Sequence, residues 1–299
     1  MEEVKKKNVL KTNAKIPKVS VLTPIYNTNP KYLRECIESI LNQTYTDFEF
    51  IILNDSPDNT EIEKIVKSYK DQRIRYYKNE KNMGISDSRN ILIDLAKGEY
   101  LAIFDHDDIS LPTRLEQEVE ILDMHPEIGV VSGQLHRFPK ESYSFHPENN
   151  IQIKFTLMYS NVIAHTAAMF RKSVLIDNNI RYEKNFSPAE DYRMVLRLIP
   201  YTMFYNIQAV LVNYRDEETN TTHTNWDKMV NADAICRCYA AKEYPYLYQA
   251  VQNSSIHNTT QWVRLFDLIP FIKIKIKSNK RKYYLFGFIP FLSIKSKSK

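Results

Sequence analysis

Glycine is scarce in this chain. Only five of 299 residues are glycine, Gly84, Gly98, Gly129, Gly133 and Gly287, where about 7% is usual. None of the patterns GxGxxG, GxxxxGK[ST] or GxSxG occurs. The dinucleotide fingerprint, the P-loop and the nucleophile elbow are therefore excluded, and a bound nucleotide must be held by side chains and ordinary strand-end loops. Cysteine is sparser still: Cys36, Cys236 and Cys238 form no CxxC pair. That speaks against a disulfide framework and a structural zinc site, and fits a reducing cytoplasm. Long apolar runs are missing too. The longest near the C-terminus, Tyr283 to Leu292, has ten residues, and ten helical residues cover about 15 Å, half of a ~30 Å hydrocarbon core. The N-terminal stretch MEEVKKKNVLKTNAKIPK is charged and carries no apolar segment of the signal-peptide kind, so the expectation is a cytoplasmic protein.

What is present is the balance of a folded globular protein, 43% apolar and 26% charged. The net charge of +5 is unevenly spread. Residues 262–299 hold ten Lys or Arg and the single acid Asp267, whereas residues 1–261 hold 31 basic and 35 acidic residues. The tail interleaves aromatic and aliphatic patches with lysines, broken at Pro270 and Pro290. This suits a segment lying among the headgroups of an anionic inner leaflet, which would make the protein peripherally associated with the cell membrane. The other reading is a strand pair, Phe271, Ile272, Ile274 and Ile276 alternating with Lys273, Lys275 and Lys277, packed on the body. The acidic body argues against nucleic acid as a partner.

From Lys18 on, short β-branched runs alternate with amphipathic stretches, the pattern of βαβ units and a mostly parallel sheet. The expected strands are Val19–Thr23, Phe48–Asn54, Ile74–Tyr77, Tyr100–Phe104 and Ile128–Ser132. Helices are expected at Lys31–Leu41, Glu61–Tyr69, Ile85–Leu95 and Pro112–Met124, the last with Pro in its first turn. In such a sheet the loops Pro24–Asn29, Asp55–Thr60 and Asp105–Pro112 should converge on one crevice beyond the strand ends. After Gly133 a loop rich in His, Pro and Asn through Asn150 is expected, then an apolar run at Val162–Phe170, a short helix after Asp191, a strand Ala209–Tyr214 and helix from Trp226 to Val251. The expected organisation is a basic extension at 1–17, a main domain at 18–222 and a helical region at 223–299 ending in the basic tail.

The strongest chemical signal is YLAIFDHDDISLP. Asp105, Asp107 and Asp108 crowd the end of an apolar strand, where mutual repulsion is best relieved by a cation. Few neutral ligands among hard carboxylates suit Mg²⁺ or Mn²⁺. His106, between them, is expected to point away. A second acidic pair, Glu190 and Asp191 in FSPAEDYRMVLRL, opens an amphipathic helix. On its own this is a dipole-complementing first turn.

The stretches SVLTPIYN, SILNQTYTDFEFIILNDSPDNT, KNMGISDSRN, GEYLAIFDHDD and AEDY together resemble the bacterial family 2 inverting glycosyltransferases of the GT-A fold, over roughly Lys18 to Arg215. The resemblance implies an α/β, Rossmann-like, mostly parallel sheet flanked by helices, with the C-terminal helical and basic region as an appendage. It implies a nucleotide-sugar donor, UDP in the first place, and a lipid-linked surface glycan such as lipopolysaccharide or capsule precursor as acceptor. Thr23, Pro24 and Tyr26 would line the nucleotide slot, Asp55 would read the base, and Arg89 would hold that side. Asp105 and Asp107 would hold Mn²⁺ or Mg²⁺, and Asp105 would also touch the donor. Asp191, ionised without special activation, would be the general base, with Glu190 orienting the loop. His165 would contact acceptor or phosphate, or sit as an interior histidine, and His223 would close over the diphosphate. The chain departs from the family where Asn54, Asp55, Ser56 and Pro57 replace the usual DDGS, and where Ser88 replaces alanine. Two rivals remain, a sugar nucleotidyltransferase and a membrane-docked nucleotide-sugar binding module without catalysis.

Overall fold

The computed structural model describes residues 15–218, 220 and 224–258, with side chains to residue 252, and then the backbone of four further strands. The first half alternates strand and helix: β1 (Val19–Ile25), α1 (Pro30–Leu41), β2 (Phe48–Asn54), α2 (Thr60–Ser68), β3 (Ile74–Lys78), α3 (Ile85–Leu95), β4 (Tyr100–Ile103), β5 (Ile109–Ser110) and α4 (Arg114–Met124). There follow β6 (Ile128–Phe138), β7 (Ser142–Tyr143), α5 (Asn150–Thr156), β8 (Met169–Arg171), α6 (Lys172–Asp177), α7 (Glu190–Leu198), β9 (Met203–Arg215), α8 (Trp226–Glu243) and α9 (Pro245–Asn258). The main sheet runs β3-β2-β1-β4-β8-β6-β9-β5, with β7 paired to β6. β1 to β4 are parallel to their neighbours, whereas β8 lies antiparallel between β4 and β6.

Strand β1 shows why this sheet needs helices on both sides. All seven of its residues are buried. Val19, Val21 and Ile25 join one core with Leu33, Ile37 and Ile40 of α1, while Leu22 joins the other with Leu92 and Ile93 of α3. Alternate residues point to opposite faces, so a strand apolar throughout must be covered twice. Scarce glycine is spent where a side chain would not fit. A Cβ on Gly98 would lie 2.6 Å from the backbone nitrogen of Ser20, so residue 98 lets the chain pass tight against β1 before β4. Gly84 has φ of +83° and caps α3, a left-handed position that other residues resist.

The structure extends several sequence expectations. β6 continues to Phe138 and β9 starts at Met203 because the two pair in parallel along their lengths, and a partner some 75 positions away leaves no local signal. The loop expected through Asn150 accordingly contains the β6–β7 hairpin. Pro112 precedes the cap residue Thr113 and is not in the first turn of α4. The expected helix from Trp226 is broken at Tyr244 by Pro245, which cannot donate a helical N–H. Nor do the cores divide near residue 222: Ala232, Cys236 and Ala240 of α8 join the same cluster as Leu22 and Val195.

In the C-terminal region the backbone of β10 (Thr260–Leu265), β11 (Ile269–Lys277), β12 (Lys280–Leu285) and β13 (Ile289–Lys295) forms an antiparallel sheet. Its register sets Lys275 opposite Lys282 and Lys277 opposite Lys280, and Ile272 opposite Leu285. Among the described residues no helix is long and apolar enough to cross a membrane.

Candidate active site

A cavity of about 1000 Å³ opens at the C-terminal ends of β1, β2 and β4. Pro24, Tyr26, Asp55, Arg89, Asp105, Asp107, His165, Glu190 and Asp191 all line it. The three expected strand-end loops therefore do meet. Thr23 does not line the cavity: it is fully buried within β1. His223 lies outside the described residues.

Asp55 is held by the loop that enters α3. Its Oδ1 accepts from Asn79 Nδ2 (2.6 Å) and the Met83 amide (2.8 Å), and its Oδ2 accepts from the Gly84 amide (2.8 Å). Asn79 also donates to Ser88 Oγ at 3.2 Å, so the serine in place of alanine takes part in this loop. The Asn54 side chain receives both the amide and the hydroxyl of Ser56 at 2.8 Å. These bonds close the turn that follows β2.

Arg89 ties the two acidic segments together. Its Nη1 donates to Glu190 Oε1 at 2.8 Å and its Nη2 to Asp105 Oδ1 at 3.1 Å, and its guanidinium lies 5.5 Å from the centre of the Tyr182 ring. Burial would favour a neutral Arg89, but Asp105 and Glu190 outweigh it and hold its pKa above the ordinary value. Burial likewise opposes ionisation of Asp105, yet Arg89, His165 and His106 keep its carboxyl below the usual range. Asp107 is the opposite case: burial raises it, His106 pulling the other way and Asp105 adding to the rise.

The three clustered acids thus separate. Asp108 is fully buried and accepts from the Arg215 amide at 2.9 Å, fastening this loop to the end of β9. Its carboxyl is pushed well up by burial and by Asp107 and Asp105. Arg215 also donates from Nε to the Asp107 carbonyl at 2.8 Å, and lies 3.8 Å from the Tyr32 ring centre. His106 does not point away. It lines the cavity with its Nδ1 4.0 Å from Asp107 Oδ1.

A divalent cation fits this donor set. Asp107 faces the cavity with burial favouring its neutral form, a penalty that a cation relieves. Asp105 has one oxygen committed to Arg89, leaving the other. No group of three metal-ligating side chains occurs among the described residues. Two carboxylates with water and phosphate oxygens completing the shell are the ordinary arrangement for Mg²⁺ or Mn²⁺ beside a diphosphate.

Asp191 lines the same cavity from the first turn of α7, its Oδ2 receiving Asn161 Nδ2 at 3.1 Å and its Oδ1 the Tyr192 amide at 2.7 Å. Burial, and then Glu190 beside it, raise its pKa to about 6. The sequence expectation of an unperturbed carboxylate is therefore corrected: the buried helix start disfavours the charged form. His165 bonds through Nε2 to the Tyr182 hydroxyl at 2.8 Å, and burial followed by Arg89 lowers its pKa to about 3, so the ring is neutral at working pH. Sequence reasoning missed Asn161, Tyr182 and Arg215. Each is an ordinary loop or strand-end residue that acquires a role only through a partner distant in sequence.

A parallel half-sheet joined to a mixed half, with carboxylates at the end of β4 and at the start of α7, defines a GT-A glycosyltransferase. The sequence matches Glycosyl transferase family 2 over residues 20–178, and the chain belongs to that family. It is 35% identical over 212 residues to an uncharacterized glycosyltransferase, MJ1057, of Methanocaldococcus jannaschii, covering 67% of this chain and 71% of that one. It is 32% identical over 235 residues to the O-antigen biosynthesis glycosyltransferase WbnJ of Escherichia coli, covering 76% and 88%. In fold it is similar to Staphylococcus aureus TarS 1–349 in complex with UDP-GlcNAc, with a TM-score of 0.60 at 21% identity over 73% of this chain and 66% of that one. It is also similar to the mannosyltransferase PcManGT of Pyrobaculum calidifontis in complex with GDP-Man and Mn²⁺, with a TM-score of 0.55 at 14% identity over 81% and 76%.

Proposed function

We propose that this protein transfers a hexosyl or N-acetylhexosaminyl group, with inversion, from a nucleoside-diphosphate donor to a hydroxyl of a lipid-linked surface glycan. The observation that carries this reading is the cavity lined together by Asp105, Asp107 and Asp191, with Arg89 bonded to both Asp105 and Glu190.

The donor lies over β1 and β2, its base against Tyr26 and facing Asp55. Asp55 Oδ2 accepts one bond from within the protein and so keeps a lone pair for a base imide N–H, which favours UDP. Asp105 and Asp107 hold Mn²⁺ or Mg²⁺, which when bound supplies positive charge to the diphosphate. Asp191 takes the proton of the acceptor hydroxyl. That oxygen then forms its bond to the anomeric carbon from the opposite face, the bond from this carbon to the diphosphate oxygen breaks, and the nucleoside diphosphate leaves with the electron pair. With a pKa of about 6, Asp191 is mostly ionised at pH 7 and is a stronger base than an exposed aspartate. Arg89 fixes Glu190 and Asp105 relative to each other, so base and donor stay in register. The ten basic residues against one acid in residues 262–299 support peripheral association with an anionic inner leaflet, where such an acceptor would be anchored.

The decisive experiment is a thermal-shift screen of UDP-, GDP- and dTDP-sugars with and without Mn²⁺, followed by assay of nucleoside diphosphate release. We expect stabilisation by one nucleotide class with metal present, and loss of turnover in excess EDTA and in Asp107→Ala. Full transfer under either condition would make the acids after β4 structural. Pyrophosphate release from a nucleoside triphosphate would favour the nucleotidyltransferase rival instead.

A further inference from the structure

Helix α8 lies beyond residue 178, where the family match ends, and it carries polar and aromatic groups that the reaction so far leaves unused. Trp226, Met229, Asp233 and Arg237 are spaced by three and four residues and fall along one side of the helix. Met229 and Asp233 line the same cavity as Asp191. Trp226, one turn further out, is 49% exposed. The helix is fixed beside the start of α7: the thiol of buried Cys236 lies 3.7 Å from the carbonyl of Ala189, next to Glu190 and Asp191. On its other flank Arg237 pairs with Asp233 and donates to the Tyr159 carbonyl at 3.3 Å, two residues before Asn161, which holds Asp191.

We propose that this side of α8 is the acceptor subsite and that it takes an oligosaccharide of at least two sugars. The inference rests on the transferase reading above and adds the acceptor's size and recognition. Asp233, one oxygen of which is engaged by Arg237, receives hydrogen bonds from hydroxyls of the sugar whose reacting hydroxyl meets Asp191. Met229 covers the apolar face of that ring. Trp226 stacks on the neighbouring ring. Asp233 is seven positions along the helix from Trp226, a rise of about 10 Å, which a single sugar does not bridge. Carboxylate for hydroxyls at the reacting ring and an exposed indole for the next is the arrangement this helix supplies.

The test uses the full chain with Trp262→Phe, which leaves Trp226 as the only tryptophan, since the chain has two. The probes are p-nitrophenyl glycosides of glucose, galactose, mannose and N-acetylglucosamine, and of their disaccharides. We expect a disaccharide to quench Trp226 fluorescence and to bind about ten-fold tighter than its monosaccharide, with Trp226→Ala erasing that preference. Asp233→Asn should weaken glycoside binding roughly ten-fold, with the donor-induced thermal shift kept. If no glycoside quenches Trp226 while a nucleotide sugar still raises Tm, or if Asp233→Asn binds glycosides as tightly as the parent, the subsite assignment is overturned and the transferase reading stands. A protein that responds to neither nucleotide sugars nor glycosides overturns both.

Discussion

Asp191 shows how a single residue can trade stability for reactivity. Its pKa is about 6 in the folded chain, against roughly 3.9 unfolded. Because the folded value is the higher one, its contribution to stability is present in full below pH 4 and is lost as the pH climbs through 6. Asp191→Asn removes that penalty while keeping the shape. At pH 8 the variant should therefore unfold at a higher temperature than the parent, by about 1 to 2 kcal/mol once partial solvent screening is allowed for, and the gap should close near pH 3.5. Transfer should fall by about 10²- to 10⁴-fold with donor affinity kept. Calorimetry across pH together with kcat measures both, and near wild-type kcat would remove Asp191 from the chemistry. The parent's kcat should decline below about pH 6 as Asp191 takes up a proton, and His165, neutral down to about 3, should add no limb of its own.

Among the elements, α4 has the most to lose from a change of one residue. Arg114 and Glu118, one turn apart, are both fully buried; Arg114 Nε donates to Glu118 Oε1 at 3.1 Å and its Nη2 to the Ile103 carbonyl at 2.8 Å. The pair fastens α4 to the end of β4, two residues ahead of Asp105. Removing one partner strands a buried charge, so Arg114→Met alone should cost about 3–5 kcal/mol in urea unfolding. Arg114→Met with Glu118→Leu should recover most of that loss. A double variant as unstable as the single one would mean that the bond to Ile103, and not the ion pair, is what matters. The same element shows the limit of pattern reading. Spacing placed a helix here, and its apolar face, but an Arg and Glu at i and i+4 look like a solvated surface pair until β4 and β8 close over them.

At the level of the whole molecule the separation of charge is the main physical fact, a mildly acidic body and a tail with ten basic residues and one acid. Each lysine near an anionic leaflet adds about 1 kcal/mol, screened by salt. Full-length protein should co-sediment with phosphatidylglycerol vesicles at low salt and be released as salt rises. Deleting residues 262–299 should abolish that binding and leave transfer to a soluble acceptor intact, since every residue placed in the cavity precedes the deletion. Failure of the full-length protein to bind such vesicles would overturn the membrane reading.

The order of strands and helices through α4 was legible from the sequence because it depends on local periodicity, β-branched runs and amphipathic repeats that the backbone turns directly into elements. Part of the cavity lining was legible for a related reason: the loops after β1, β2 and β4 follow parallel strands and so lie on one edge of the sheet, whereas Arg89, His165, Glu190 and Asp191 were placed there by the resemblance to family 2 glycosyltransferases. Only the tertiary structure decided what those residues feel. Asp105 stays ionised beside Arg89, Asp108 retires to hold β9, and Asp191 rises to about 6. The full span of β6 and β9, and the place of α8 in the main core, were decided there as well. Desolvation and charge pairing depend on which side chains arrive from elsewhere in the chain, and a linear pattern does not hold that information.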